Sequence, residues 1–249
     1  MAAGKATCLT QITKPLSIDD IMAELRSGKR VVNIRYGDGE WKAILGIGDK
    51  HAGEQTLKAP LIQDGVRDSL QLLQPQTDLY LELVAMDVAE RLGMASRIAH
   101  WISIYAQQTV GYWYGWGWLE EAALAGKLHP FISWLQTKRV GFVGPVHLRR
   151  GLAQNEILDL EAYVQTSADC FTDWLYLYQK IKDTCNNIDV LLFSAGPTAK
   201  VLISQLYREG WRPTVSMIDT GSVWEPLCGR VTRSYHVPVI LNREVNLGR

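Results

Sequence analysis

The residues with the clearest chemical potential in this chain are the acids of Arg35-Tyr36-Gly37-Asp38-Gly39-Glu40-Trp41. Gly37 and Gly39 flank Asp38, so the backbone there is free to take positive φ and an approaching ligand meets no Cβ. In an extended loop Asp38 and Glu40, two apart, point the same way, and a hard divalent cation takes one oxygen from each. Manganese or magnesium suits such a pair and is commonly completed by substrate phosphates and water, which makes a nucleoside diphosphate the natural ligand. A plainer reading explains the same residues: a strand-to-helix turn in which Asp38 caps a helix beginning near Glu40 and the helix dipole favours both acids.

A second candidate lies near the other end of the chain. Asp189 to Ser194 reads as a buried strand, and Ala195-Gly196-Pro197-Thr198 leads into a helix with Pro197 in its first turn and Ala199, Leu202, Ile203 and Leu206 on its apolar face. Gly210 ends that helix, and Pro213 to Ile218 forms the next strand before Asp219. In such a β-α-β unit ligands bind beyond the carboxyl ends of the strands, where the free amides of a helix N-terminus accept phosphate. Gly196 and Thr198 are placed for that role, with Arg35 or Lys200 as cationic support, although Lys200 is expected to face solvent. The chain lacks Gly-x-Gly-x-x-Gly and the Lys-Ser/Thr of a P-loop, which argues against a dinucleotide-dependent dehydrogenase and a P-loop ATPase.

Two further clusters invite a role. Tyr112-Trp113-Tyr114-Gly115-Trp116-Gly117-Trp118 is the densest aromatic stretch, suited to stacking on a sugar or base and equally to packing as an Ω-type loop. His147, Arg149 and Arg150 follow the strand Arg139 to Val143 and open a short helix, where they could meet phosphate or acceptor or form a solvated face.

The elements that position these residues alternate. Ser17-Ile18-Asp19-Asp20 matches a capping box, and a first helix runs to Gly28. A strand over Arg30 to Ile34 feeds the acidic loop, Pro60 opens a helix to about Leu73, Asp78 to Val84 reads as a strand, and Val88 to Tyr105 reads as one helix. No internal repeat or linker divides the chain, so residues 1–249 are expected to form one α/β domain.

Composition bounds the partners. At 249 residues with 47% hydrophobic content, the chain supports a sizeable core. Lys plus Arg and Asp plus Glu stand at 26 each, so no net field draws it to nucleic acid or an anionic membrane. There is no signal-type N-terminus and no apolar stretch long enough for a membrane span, so a cytoplasmic location is expected. Cys8, Cys170, Cys185 and Cys228 have neither paired nor metal-ligand spacing and are expected as reduced thiols.

Two stretches taken together, Arg35 to Glu40 and Ser194 to Ala199 with Asp219-Thr220-Gly221, resemble the glycosyltransferases of the GT-D fold. The resemblance implies a Rossmann-like α/β fold with a mostly parallel sheet flanked by helices, a nucleotide-sugar donor, and an Asp-x-Glu pair, here Asp38 and Glu40, that holds a divalent cation against the donor diphosphate. Gly37, Gly39, Gly196, Pro197, Thr198 and Gly221 fall in the matched segments and become donor-side candidates. The family's late segment often reads Asp-Ile-Gly-His, whereas Ser222 follows Gly221 here, so that histidine has no counterpart at this position.

The resulting expectation is a metal-dependent glycosyltransferase that moves a sugar from a nucleoside-diphosphate donor, foremost a UDP-sugar, to a hydroxyl of a glycan or glycoprotein, or of a hydroxymethylated base in phage-type DNA. If transfer inverts the anomeric carbon, Asp219 or Glu225 is the candidate base, though both also read as turn or surface residues. Trp113, Trp116, His147 and Arg149 are the acceptor-side candidates. Two other classes fit the same residues: a metal-dependent nucleotide-binding protein or phosphohydrolase, and an interaction protein that uses the aromatic stretch as its partner surface.

Overall fold

Strand residues alternate between two apolar layers. Leu191 and Phe193 pack on one side of the sheet and Val190 and Leu192 on the other, as the two-residue strand period requires. A strand buried on both faces is the mark of a parallel sheet covered by helices. The structure, a computed structural model, describes residues 17–46, 50–51, 55–56, 60–69, 78–84, 86–105, 112–115, 117–168 and 170–249.

In chain order the elements are α1 (Ile18–Arg26), β1 (Val32–Tyr36), α2 (Asp38–Leu45), β2 (Lys50–His51), β3 (Gln55–Thr56), α3 (Pro60–Ser69), β4 (Leu79–Val84), α4 (Met86–Arg91), α5 (Ala95–Tyr105) and β5 (Tyr112–Gly115). There follow α6 (Trp118–Leu124), α7 (His129–Leu135), β6 (Val140–Pro145), α8 (Val146–Gln154), β7 (Leu160–Thr166), α9 (Trp174–Thr184), β8 (Val190–Phe193), α10 (Pro197–Arg208), β9 (Ser216–Asp219), α11 (Trp224–Leu227), α12 (His236–Leu241) and α13 (Arg243–Leu247). β2 and β3 form a small antiparallel pair. The other strands make one seven-stranded sheet in the order β5-β4-β1-β9-β8-β6-β7, and every pairing in it is parallel. No helix among the described residues is long and apolar enough to cross a membrane.

One layer packs α2, α3, α5, α9 and α10 on the sheet through Trp41, Ile44, Val66, Ile98, Ile181 and Leu202. The other packs α1, α6, α7, α8 and α11 through Ile21, Trp118, Phe131, Leu148 and Trp224. The first helix is anchored as its sequence predicts: Ser17 Oγ accepts from the Asp20 amide at 3.2 Å and Asp20 Oδ2 accepts from the Ser17 amide at 2.9 Å.

From β1 the chain builds outward through β4 to β5, then crosses to β6 on the far side and returns through β8 to β9 beside β1. This reversal opens a crevice at the carboxyl ends of β1, β9, β8 and β6, the usual ligand position in such sheets.

The structure revises two of the expected elements. The helix expected over Val88 to Tyr105 is two helices, α4 and α5, separated at Gly93, whose φ of 65° closes α4. The aromatic stretch begins as edge strand β5, with Trp113 in register with Glu82, rather than as a loop. The side chain of Trp113 and the whole of Trp116 lie outside the described residues.

Candidate active site

The crevice is a cleft of about 640 Å³, inside the range of roughly 300–1,000 Å³ usual for small-molecule sites. Its lining includes Arg35, Gly37, Asp38 and Glu40 from the β1–α2 corner, His147 after β6, Gly196 and Lys200 after β8, and Gly221, Ser222 and Glu225 after β9.

A buried ammonium forms the floor. Lys200 Nζ lies 2.7 Å from Asp219 Oδ2 and 3.0 Å from Glu40 Oε1, and it donates to the Gly196 carbonyl at 3.3 Å. The expectation that Lys200 faces solvent is corrected: the residue is 3% exposed, because the first turns of α10 are enclosed on all sides, from Pro197 to Ser204. Burial works against its charge, but Asp219 and Glu40 outweigh that and raise its pKa. Asp219, itself 2% exposed, also accepts the Gly221 amide at 3.1 Å, so its turn role and its ionic role coexist.

The acidic motif differs from an extended loop. α2 begins at Asp38 itself with Gly37 as N-cap, so Asp38 and Glu40 occupy the first and third helical positions. Residues two apart on a helix diverge by about 200° instead of sharing a side. Glu40 turns inward to Lys200 and back to the Gly37 amide, which it accepts at 2.9 Å. The Asp38 side chain stays 46% exposed, with Oδ2 held by Lys42 at 2.8 Å. Among the described residues no cluster of three or more potential metal ligands gathers. Asp38 is the open carboxylate of the two, while Glu40 is committed to Lys200.

A second buried cluster holds Arg35. Its Nη1 bonds Glu120 Oε1 and its Nε lies 3.9 Å from Glu82 Oε2, while Asn33 donates to Glu82 Oε1 at 3.0 Å. Burial, reinforced by Glu120 and opposed by Arg35, pushes the Glu82 carboxyl up to about 8. Burial likewise raises Glu120 to about 7 against the pull of Arg35. The guanidinium also suffers from burial, but Glu120, Tyr235, Glu82 and Asp219 outweigh that and hold its pKa above the usual value.

The glycine at 221 is explained by this cluster. Its φ is 53°, and a Cβ there would overlap Arg35 Nη1 and come within 2.9 Å of Glu120 Oε1. Gly221→Ala is therefore expected to displace Arg35 and lower stability by about 1–3 kcal/mol. Urea denaturation measures the loss, and an unchanged midpoint would contradict the crowding argument.

The third wall joins His147 and Glu225, distant in sequence, with Nε2 2.8 Å from Oε1. Glu225 Oε2 faces Arg230 Nε at 3.4 Å. Ser222, at the position where the resembling family often has histidine, bonds the Tyr235 hydroxyl and meets His236 Nε2 at 3.3 Å. A histidine ring thus reaches that spot from α12, but it is fully buried, and desolvation with Arg233 nearby lowers its pKa to about 4.

Other sequence candidates fall elsewhere. Pro197, Thr198 and Gly39 are buried behind the cleft, and Thr198 Oγ1 accepts from Cys170 Sγ at 3.3 Å. Arg149 leaves the cleft to stack over Tyr163, 5.0 Å from its centroid. Cys170, Cys185 and Cys228 are free thiols, as expected; Cys8 lies outside the described residues. Sequence reading missed Glu82, Glu120, Ser222 and Tyr235. Glu82 carried a signal, since a carboxylate inside the apolar strand Leu79–Val84 requires a buried partner.

No family model matches the chain, and no curated protein matches it in sequence. Solved structures do match its fold. A selenomethionine structure of domain of unknown function 1792 superposes with a TM-score of 0.61 at 16% identity, over 86% of this chain and 80% of that one. A second, described as showing that this highly conserved domain has a distinct glycosyltransferase fold, gives 0.60 at 15% over the same shares. The chain therefore has the α/β fold described for that domain as a distinct glycosyltransferase fold.

Proposed function

We propose that this chain is a glycosyltransferase that moves a sugar from a nucleoside-diphosphate donor, a UDP-sugar in the first instance, to an acceptor hydroxyl. The observation that carries the reading is the buried Lys200 ammonium, set between Glu40 and Asp219 on the floor of a cleft at the carboxyl edge of the sheet. The ammonium holds the two carboxylates in place and offsets part of their charge, which fixes the floor over which the donor diphosphate would lie. Beside it, Gly196 at the N-cap of α10 lines the same cleft and turns the helix N-terminus toward the same phosphates.

Arg35 lines the same cleft, and its two acidic neighbours, whose carboxyl pKa values burial raises, hold it in place. A divalent cation at Asp38, with Glu40 behind it, fits the donor set and would supply further neutralisation of the leaving diphosphate. The protein's own part is to bind the donor, orient its diphosphate over Lys200 and leave the sugar toward the β6 side of the cleft. A glycan or glycoprotein hydroxyl is the proposed acceptor, because balanced charge, 26 against 26, gives no general attraction for DNA.

Calorimetric titration of UDP with and without manganese tests the reading. Wild type is expected to bind, and Asp38→Asn to lose the manganese-dependent part while keeping its fold. Absence of UDP binding under both conditions would sink the glycosyltransferase reading. UDP-sugar turnover that no acceptor accelerates would instead favour a phosphohydrolase.

A further inference from the structure

Transfer to a hydroxyl needs a proton acceptor, and the carboxylates near the donor floor are poorly available for it. Asp219 is buried and ion-paired to Lys200, Glu40 is committed to Lys200 and the Gly37 amide, and Asp38 is paired with Lys42. His236 is fully buried. His147 differs from all of these. It occupies the second position of α8, directly after β6 reaches the carboxyl edge, its side chain is 31% exposed, and it lines the cleft.

The tautomer follows from its partner. Glu225 Oε1 accepts at 2.8 Å, so Nε2 carries the proton and Nδ1 presents its lone pair. Nδ1 has no partner among the described residues. Glu225 is in turn fixed, with its second oxygen against Arg230 and its side chain only 10% exposed. β6 is next to β8 and two strands from β9, and His147 lines the same cleft as Lys200 and Glu40, beside the donor floor.

We propose that His147 is the general base of the transfer, taking the acceptor proton on Nδ1, and that Glu225 is its positioning residue. The inference rests on the glycosyltransferase reading. In the step, the acceptor oxygen forms its bond to the anomeric carbon as the bond from that carbon to the diphosphate oxygen breaks. The bonding pair leaves with the nucleoside diphosphate, and the acceptor proton passes to Nδ1. The imidazolium so formed is stabilised by the Glu225 carboxylate across Nε2–H. This is a single displacement, and it inverts the anomeric carbon.

The test uses the full chain with manganese, measuring UDP affinity by calorimetry and UDP release from UDP-hexoses in water and with added glycan acceptors. His147→Ala is expected to keep wild-type UDP affinity and lose roughly 10²–10⁴-fold in release, with partial recovery in imidazole buffer. Glu225→Gln should lower kcat with the donor KM unchanged, and Glu225→Asp should restore part of it. His147→Gln serves as a second, less disruptive variant if the alanine form folds poorly. Unchanged release in either folded His147 variant overturns the assignment, and so does a parallel loss of UDP affinity, which would make His147 a binding group. Product of retained configuration overturns it as well. If wild type binds no UDP, the donor reading falls and this inference with it; binding with turnover indifferent to His147 removes the base alone.

Discussion

Lys200→Met is expected to remove UDP binding and to destabilise the fold by about 3–5 kcal/mol, the usual cost of deleting one partner from a buried ion pair. The substitution leaves two carboxylates, Glu40 at 3% and Asp219 at 2% exposure, without the cation between them. Solvent cannot reach in to compensate, and methionine replaces the volume but not the charge. A double variant separates the two consequences. Lys200→Met with Asp219→Asn removes one of the stranded charges and should regain part of the stability while UDP still fails to bind. Urea denaturation and calorimetry read the two quantities independently. Full stability in the single variant would mean that the cluster is not the electrostatic keystone of the floor; retained UDP binding would mean that the donor phosphates lie elsewhere.

The sequence makes plain those parts of the fold that depend on local pattern. The capping box at Ser17 stands where its spacing puts it, and the strand before the acidic motif and the unit from Asp189 to Asp219 form with shifted ends, Val32–Tyr36 against the expected Arg30 to Ile34 and Ser216–Asp219 against the expected Pro213 to Ile218. Each is governed by periodicity or cap chemistry within a short window. The candidate site was legible only in half. Asp38, Glu40, Gly196 and Gly221 converge on one cleft, as the topology of a parallel sheet requires once the strands are known.

What the spacing could not reveal is which partner each group chooses. Lys200 lies between apolar positions on α10, and a helix read in isolation sends such a residue to water. The packed layer around α10 encloses it, and its partners come from α2 and β9. His147 and Glu225 lie 78 positions apart, and Arg35 and Glu120 lie 85 apart. Neither pairing has a local signature. The same limit explains the motif geometry: an extended loop and the first helical turn are both compatible with Gly-Asp-Gly-Glu, and the capping bond from Glu40 to Gly37 selects the helix.

Arg35→Met is the second variant with a large expected effect, and its effect should depend on pH with a definite sign. In the wild type Glu82 and Glu120 have carboxyl pKa values of about 8 and about 7, both raised from 4.5. The folded state therefore holds protons that the unfolded chain has released, so the stability linked to these groups is complete below pH 4.5 and is lost as pH rises through 7 and 8. Arg35 opposes both shifts, and its removal pushes both carboxyls further up. The deficit of Arg35→Met should be smallest near pH 5 and grow toward pH 8, where breaking the cluster reaches about 3–5 kcal/mol. Adding Glu82→Gln removes one titrating group and keeps the hydrogen-bonding shape beside Asn33, so it should flatten the pH profile and recover part of the loss at pH 8. Thermal or urea midpoints across this range measure both effects. A deficit that stays constant with pH would show that Arg35 acts by packing alone. A deficit that shrinks toward pH 8 would reverse the charge logic of the cluster.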